Sequence, residues 1–423
     1  MEVSAFGVSA TGTVYEIGGQ RFEVATSGFA QAIANAHAAR QRPRCQCTPE
    51  GVEMYVARLA GPHRGYIVKR MPDTGCRHAC DCPSYEPPAD LSCLGPVLGT
   101  AINEDPATGQ TNLRLGFSLT KLPGRSQMPT EGGESESVCT DGTKLSLRGL
   151  LHYLWDQAEL THWKPGFAGR RNWATVRRHL LQAAENIATH GQPLLVSLYI
   201  PEVFSVEQRD AIHTRHRRQW SRAIPRPGQP QPLMLMVAEV KEIAPSRYGH
   251  TAILKHIPDQ AFTLDESLYR RLGRCFEREL TLWGTEADLH LIVMATFRLD
   301  EAGAPAIVEM TLMLATAQWL PVEDAWERQL INALVRNGRS FIKGLRYNSR
   351  PVQALASVSL LDCGIAAHPL FIDRDHRHGD ALAQGFATLD TDENPPAWRW
   401  LPADGDMPAL PPQQLWQPAA PLP

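Results

Sequence analysis

The stretch at residues 44–93 reads RCQCTPEGVEMYVARLAGPHRGYIVKRMPDTGCRHACDCPSYEPPADLSC, and it holds six of the nine cysteines in the chain. Thiols this close together are typical of metal ligands in a cytosolic protein, because the cytosol keeps cysteines reduced and disfavours disulfides. Two groups stand out near the ends of the stretch: Cys45 and Cys47, then Cys76, His78, Cys80 and Cys82. The pattern therefore predicts a metal site.

A β-hairpin is predicted between the two groups. Residues 52–59 and 65–71 alternate apolar and polar positions, and the AGPHR segment at 60–64 is typical of a turn. A hairpin returns the chain to its starting point, so it brings the first pair of cysteines close to the second group. We therefore expect one ion to be bound from both ends of the hairpin.

Zinc is the metal that this donor set favours, because four tetrahedral sulfur and imidazole ligands are typical of structural zinc sites. The preferred ligand set is Cys45, Cys47, His78 and Cys82. Its His-x-x-x-Cys spacing lets two side chains of one short turn reach the same ion. The alternative exchanges Cys82 for Cys76, in the order of a SWIM-type zinc finger, and Cys80 is a further candidate. Thiols without a metal are the other interpretation.

Several segments carry a resemblance to a known family. They are RCQC at 44–47, GVEMYVAR at 51–58, KRMP at 69–72, CPSYE at 82–86 and GRSFIKGLRYN at 338–348. Their order resembles a bacterial family of unknown function, domain-of-unknown-function family eleven-seventy-three. That family has three cysteines near its N-terminus and is often encoded on integrative conjugative elements. The resemblance implies a mobile-element setting and maps the family's cysteines onto Cys45, Cys47 and Cys82, with His78 completing the set.

Composition excludes several classes of protein. The chain has 423 residues, 43% of them hydrophobic and 21% charged, which is typical of a globular protein with two or three domains. A net charge of −3 gives no overall attraction to nucleic acid, so such binding would need a local basic surface. No apolar run reaches the length of a membrane span, and the start does not read as a signal peptide. We expect a cytoplasmic protein without a membrane partner.

Shifts in periodicity along the chain predict an α+β protein with five segments. They are an N-terminal zinc-knuckle and β-hairpin domain at 1–122, a linker at 123–144, a basic helical segment at 145–226, a mixed α/β sheet domain at 233–378, and a Pro-rich tail at 379–423. The tail is expected to be extended or disordered, because proline and alanine dominate it.

The helical segment is the candidate nucleic-acid interface. Apolar residues recur at helical spacing from Leu147 and again from Trp173, and an apolar strand is predicted to follow, which is compatible with a winged helix. Between Lys164 and Arg226 we count eleven Lys and Arg against four Asp and Glu. The candidate DNA contacts are Arg170, Arg171, Arg177, Arg178, Arg215, Arg217 and Arg218. A solvated helical hairpin is the alternative.

The C-terminal part faintly resembles the core of the PD-(D/E)xK nucleases. A predicted helix with Glu327 precedes three predicted strands, with Asp362 on the second. Such enzymes hold a divalent ion between several carboxylates. The expected Glu-x-Lys is replaced by Pro-Leu-Phe, so the resemblance implies a degenerate copy. Glu239, in an earlier Glu-x-Lys, is a further catalytic candidate.

Three hypotheses follow. The first is a zinc-stabilised, non-enzymatic, DNA-associated accessory protein of a mobile genetic element, acting in conjugation, maintenance or defence. The second is a metal-dependent nuclease that uses Glu327, Asp362 and Glu239. The third is a scaffold that binds only protein partners of the same machinery. No phosphate-binding loop, dinucleotide fingerprint or nucleophile elbow occurs in the sequence.

Overall fold

The computed structural model describes residues 12–59, 65–88, 94–121, 143–247, 249–347, 355–374 and 398–414. Within these ranges the chain is a mixture of helices and several β-sheets, as the α+β prediction states. None of the described helices is both long enough and apolar enough to cross a membrane. The predicted linker lies almost wholly outside the described residues.

Seven α-helices are present in the described part of the chain. They are α1 (Phe29–Ala38), α2 (Leu147–Gln157), α3 (Trp173–Ala184), α4 (Arg209–Trp220), α5 (Glu266–Cys275), α6 (Glu277–Thr285) and α7 (Ala325–Arg336). The sequence predicts one amphipathic helix over 267–283, and this prediction is wrong. Phe276 takes φ −129° and ψ 27°, which ends α5 and starts α6 at an angle to it.

The strands are short except in the middle of the chain. They are β1 (Val14–Ile17), β2 (Gln20–Glu23), β3 (Arg44–Cys45), β4 (Val52–Arg58), β5 (Tyr66–Arg70), β6 (Ile102–Asp105), β7 (Gln110–Leu113), β8 (Thr120–Lys121), β9 (His162–Trp163), β10 (Ile187–Thr189), β11 (Gln192–Pro193), β12 (Leu198–Tyr199), β13 (Gln231–Pro232), β14 (Met234–Ser246), β15 (Gly249–Leu254), β16 (Ile257–Leu264), β17 (His290–Leu299), β18 (Pro305–Ala315), β19 (Pro321–Val322), β20 (Phe341–Lys343), β21 (Val358–Leu360), β22 (His368–Ile372) and β23 (Trp398–Trp400).

The N-terminal sheet has the antiparallel order β2-β1-β3-β4-β5. The predicted hairpin is confirmed, with Met54 paired to Arg70 and Arg58 paired to Tyr66. Helix α1 packs Phe29 and Ile33 against this sheet and forms a small apolar core with it. The short strand β3 lies between β1 and β4, so Cys45 is held inside the sheet and Cys47 follows it by two residues.

The central sheet closes on itself. Strand β14 pairs with β15 and also with β17, while β18 pairs with both β17 and β16. The five strands therefore form a ring in the order β14-β15-β16-β18-β17, which is a closed barrel. Alternate residues such as Met236, Leu254 and Phe262 fill its interior. Trp220 of α4 packs on Phe262 and Phe297 and covers one end.

The connectivity of this barrel is that of an OB-type fold. In chain order its strands pair as 1-2-3-5-4-1, the third and fifth run parallel at Thr263 and Ala306, and two helices lie between the third and fourth. The sequence predicts a mixed α/β sheet over 233–378 that is covered on at least one face, and it does not predict that the strands close into a ring. Short connections make most neighbouring strands antiparallel, and the pair β16 and β18 is parallel.

The central helices do not form a separate winged helix. Helix α2 is buried against β17 and β18, and its Leu151 and Leu154 belong to the same apolar core as Ile292 and Met294. The strand predicted over 194–200 is a short 3₁₀ turn followed by β12, which joins the barrel sheet beside β14. The helical segment at 145–226 therefore shares its core with the barrel.

A third sheet has the order β23-β22-β21-β20-β9. It joins the end of the barrel domain to the helical segment, because β9 pairs with β20. Part of the predicted disordered tail is ordered: β23 pairs in parallel with β22, and Gln414 donates its backbone N–H to the carbonyl oxygen of Asp362. Trp398 and Trp400 are buried, so two tryptophans fix this part of the tail to the sheet.

Candidate metal centre

Two elements of the N-terminal region position the cysteine and histidine side chains. Cys45 ends β3, where it pairs with Tyr15 and Val52 of the flanking strands. After the hairpin, a 3₁₀ turn at Gly75–Arg77 leads to His78, and a tight turn follows in which the Cys82 N–H donates to the Ala79 carbonyl. The hairpin returns this second turn to the end of β3, as the sequence predicts.

Four side chains meet at this place: Cys45, Cys47, His78 and Cys82. Their ligand atoms all lie within 4.8 Å of one another. The two sulfurs of Cys45 and Cys82 are 3.8 Å apart, and Nδ1 of His78 lies 3.3 Å from Cys47 Sγ and 3.7 Å from Cys82 Sγ. This is the ligand set that the sequence favours.

The distances fit a tetrahedral zinc ion. Ligands at about 2.3 Å for sulfur and about 2.0 Å for nitrogen place two sulfurs about 3.8 Å apart and sulfur and nitrogen about 3.5 Å apart. The spacing between Cys45 and Cys82 agrees with the first value and is far longer than a disulfide bond. The donor set of three thiols and one imidazole is thus compatible with zinc in both chemistry and spacing.

The thiols of this cluster compete for protons. Hydrogen bonds from Cys45 and Cys82 lower the pKa of the Cys47 thiol, although burial opposes them. The same hydrogen bonding to Cys47 raises the pKa of Cys45. The pKa of Cys82 rises to about 11, because Cys47 and burial outweigh the hydrogen bond with Cys45. A bound cation would replace protons on the thiols, so metal binding at this cluster releases protons.

The surroundings of the cluster suit a structural ion. Cys45 is 1% exposed, His78 is 4% exposed and Cys82 is 8% exposed, so little room is left for water or substrate. Backbone N–H groups of Ala79 and Ser84 donate to the sulfurs of Cys47 and Cys82, which favours thiolates there. All four ligands would come from the protein, as in structural zinc sites. Sequence reasoning missed the two N–H donors, since backbone direction has no residue signature.

The two alternative cysteines lie outside the cluster. Cys76 is exposed, and Cys80 points away, with its Sγ 3.4 Å from the carbonyl oxygen of Gly364. The reason is local geometry, because Cys76 belongs to the 3₁₀ turn before His78 and Cys80 lies on the opposite side of the tight turn from Cys82. The SWIM-type order with Cys76 is therefore not the arrangement in the structure.

Three of the seven predicted DNA-binding arginines have partners within the protein. Arg171 donates to the backbone carbonyls of Leu160 and His162 and lies over the Trp163 ring, 5.5 Å from its centroid. Arg177 donates Nε to the carbonyl of Ile200 at 3.0 Å. Arg215 forms two hydrogen bonds with Glu202, of 2.8 and 2.6 Å. The contacts of Arg177 and Arg215 hold α3 and α4 against the segment that joins them, and those of Arg171 are to residues that precede α3.

The other four predicted arginines are exposed. They are Arg170, Arg178, Arg217 and Arg218, and none of their guanidinium groups has a hydrogen bond or ion pair to another described residue. Helices α3 and α4 both contact residues 196–202, where Arg222 also donates to the carbonyl of Val196. The two helices therefore contribute to one region of the surface, which we call the α3–α4 surface.

The three carboxylates of the nuclease hypothesis do not meet. Among the residues that the structure describes, they belong to no cluster of ligand atoms that could hold an ion. Glu327 pairs with Lys343 at 3.2 Å, and Asp362 pairs with Arg339 at 2.7 Å. Glu239 accepts from Lys255 and His290, both at 2.5 Å, and these hydrogen bonds outweigh burial and lower the pKa of its carboxyl.

Comparison with known proteins gives a match to the model of one family. No curated protein and no solved structure is significantly similar to the chain. The model of one family, described as a protein of unknown function (DUF1173), matches residues 15–403. That range contains the cysteine cluster, the barrel and the third sheet, so the match covers the described fold almost completely. The chain belongs to the DUF1173 family.

Proposed function

We propose that this chain is a zinc-stabilised, DNA-associated accessory protein, without catalytic activity, of a mobile genetic element. The observation that carries the proposal is the α3–α4 surface, where Arg170, Arg178, Arg217 and Arg218 are exposed and their guanidinium groups are free of partners among the described residues. Free guanidinium groups can neutralise phosphates and release counterions, which gives affinity that falls as salt rises.

The distribution of charge supports DNA as the partner. Eleven basic and four acidic residues lie between Lys164 and Arg226, whereas the whole chain has a net charge of −3. A basic region on an acidic protein directs a polyanion to one surface and repels it elsewhere. The mobile-element setting follows from the resemblance of the sequence to its family.

The barrel offers weaker support. OB-type barrels often bind oligonucleotides on the outward face of their second and third strands. Here that face presents Thr251, Ile253, Ala261 and Thr263, which supply neither charge nor an aromatic ring for stacking. We therefore propose that DNA contacts the α3–α4 surface. The likeness of the barrel to OB-type folds is an analogy at the level of the fold only.

In this proposal, zinc would stabilise the fold and would not take part in chemistry on a substrate. The four ligands come from the end of β3 and from the turn at 78–82, which the hairpin separates in the chain. An ion shared by both would fix the turn to the sheet, because metal binding free energy contributes directly to folding. The absence of an open ligand position in such a set agrees with a structural role.

Fluorescence anisotropy with a labelled 30-base-pair duplex tests the DNA proposal. We expect binding that weakens steeply between 50 and 200 mM NaCl, and the double variant R217A/R218A should reduce the salt slope by about 1.8 if both arginines contact phosphates. The matched control is R21A/R58A, which removes two exposed arginines of the N-terminal sheet and leaves the slope unchanged.

Two results would reject the proposal. Absence of salt-dependent retention would favour a scaffold that binds only protein, and an equal loss in both double variants would show that the α3–α4 surface is not the binding region. The nuclease hypothesis has its own test, in which cleavage with Mg²⁺ or Mn²⁺ must occur and must fail in Glu327→Ala, although that variant also requires a check of folding.

A further inference from the structure

A cavity of about 250 Å³ lies where distant parts of the chain meet. Arg70 and Glu86 line it from the N-terminal region, Glu104 from β6, Asp156 from α2, and Lys343 from β20. Leu94, Leu98 and Ile102 add an apolar wall. A concave space with an apolar wall and a few converging polar groups is the usual form of a small-molecule site.

The charges in this cavity do not balance. Four carboxyl residues line it, namely Asp73, Glu86, Glu104 and Asp156, against two basic residues, Arg70 and Lys343. Both basic groups already have partners, since Arg70 pairs with Glu86 and Lys343 pairs with Glu327 outside the cavity. Lys69 lies near Glu104 but not on the cavity wall. The residues on the cavity wall therefore carry an excess of acidic groups, although the charges of Lys69 and Arg70 act on Glu104.

Two carboxyls account for this excess. Asp156 accepts hydrogen bonds from Thr161, at 3.1 Å, and from Tyr347, and neither Asp156 nor Glu104 has an ion pair of its own among the described residues. Burial raises the pKa of the Asp156 carboxyl, although the charge of Arg70 opposes this effect. His162 adds a neutral imidazole, because burial lowers its pKa to about 3. The cavity thus offers acceptors to a ligand that brings its own N–H donors.

We infer that this cavity binds a small organic cation, in which a primary ammonium or amidinium group is attached to a short apolar body. The cationic end would lie between Asp156 and Glu104, and the apolar body would contact the wall formed by Leu94, Leu98 and Ile102. A metal ion is a poorer occupant, since the lining carboxyls form no cluster of ligand atoms among the described residues. Phosphates and carboxylates are disfavoured by the excess of acid.

Isothermal titration calorimetry on the protein as purified tests this inference, with 1-aminobutane as the probe at 150 mM NaCl. We expect saturable binding of the amine and no heat from 1-butanol or butyrate, which have a similar length but no positive charge. Asp156→Asn and Glu104→Gln should each weaken amine binding at least tenfold. Glu242→Gln, an exposed carboxyl on the barrel, should bind the amine as the parent protein does.

Each other result overturns the inference. No binding of 1-aminobutane up to 10 mM, equal binding of 1-butanol, or unchanged amine binding in both cavity variants would show that the cavity does not select a cation. Thermal melting without ligand shows whether each variant is folded. If Asp156→Asn is unfolded, Glu104→Gln carries the comparison, because Glu104 is only half-buried and its loss leaves Thr161 and Arg70 with their partners.

Discussion

Arg339 and Asp362 form a buried pair in which Nε and a terminal nitrogen of the guanidinium donate three hydrogen bonds, of 2.7 to 3.1 Å, to both carboxylate oxygens. The same carboxylate accepts the backbone N–H of Ser340 at 2.9 Å. Both side chains are less than a tenth exposed. Asp362 therefore connects β21 to the residues before β20, and its lone pairs are occupied by protein donors.

Replacing Asp362 should destabilise the protein without changing its binding to DNA. We expect Asp362→Ala to lower the free energy of unfolding by about 3 kcal/mol, because Arg339 is left charged and buried. Urea unfolding followed by circular dichroism measures the change. In the double variant Arg339→Met with Asp362→Leu the loss should be smaller, since no unpaired charge remains. An Asp362→Ala protein of parental stability would contradict this role.

Replacement of single cysteines should distinguish the metal ligands from the cysteines that do not bind the ion. We expect Cys45→Ser and Cys82→Ser to lose the metal ion and to melt at a lower temperature, because each removes one of four converging ligands. Cys76→Ser is the matched control, since its thiol is exposed and outside the cluster. Metal content by mass spectrometry and thermal melting provide the two measurements. Retention of zinc in Cys82→Ser together with its loss in Cys76→Ser would favour the SWIM-type ligand set instead.

Acidification should destabilise the protein through buried histidines. Burial lowers the pKa of His162 to about 3, so this ring stays neutral in the folded protein while the unfolded chain takes up a proton below its ordinary value of 6.5. Stability is therefore complete above pH 6.5 and falls as the pH decreases toward 3. The expected loss for one such group is up to about 1.4 kcal/mol per pH unit.

The variant His162→Gln isolates this contribution. Between pH 6 and pH 4.5 this variant should take up about one proton fewer on unfolding than the parent protein. The slope of the unfolding free energy against pH, measured by urea unfolding at each pH, should therefore be smaller by about 1.4 kcal/mol per pH unit. Exposed His190→Gln serves as the control and should leave the slope unchanged. An unchanged slope in His162→Gln would mean that its ring is protonated in the folded protein.

A glycine in the third sheet should not tolerate a side chain. A Cβ atom on Gly344 would lie 2.1 Å from the carbonyl oxygen of Ala356, which is backbone and cannot move aside. We expect Gly344→Ala to destabilise the protein by more than 2 kcal/mol, as overpacking does. Gly273→Ala, in helix α5 with no atom within 4 Å of its Cβ, should instead stabilise by about 0.5 to 1 kcal/mol. Thermal melting of both variants measures these two changes in stability.

The sequence was most informative where structure is local. The alternation of residues 52–59 and 65–71 predicts the hairpin, and the His-x-x-x-Cys spacing predicts which thiol joins His78, because both depend on a few consecutive residues. The periodicity of α2, α3 and α7 likewise predicts helices close to their observed bounds. It fails at Phe276, where one residue outside the helical region divides a predicted helix into two.

What only the tertiary structure decided is which distant residues meet. Closure of the barrel depends on the pairing of β14 with β17 and of β16 with β18, and strand periodicity does not specify partners. The side chains of Arg171 and Arg217 are chemically identical, yet one is bound to backbone carbonyls and the other is exposed. Arg70, Asp156 and Lys343 line one cavity although long stretches of chain separate them, because packing of the whole core brings them together.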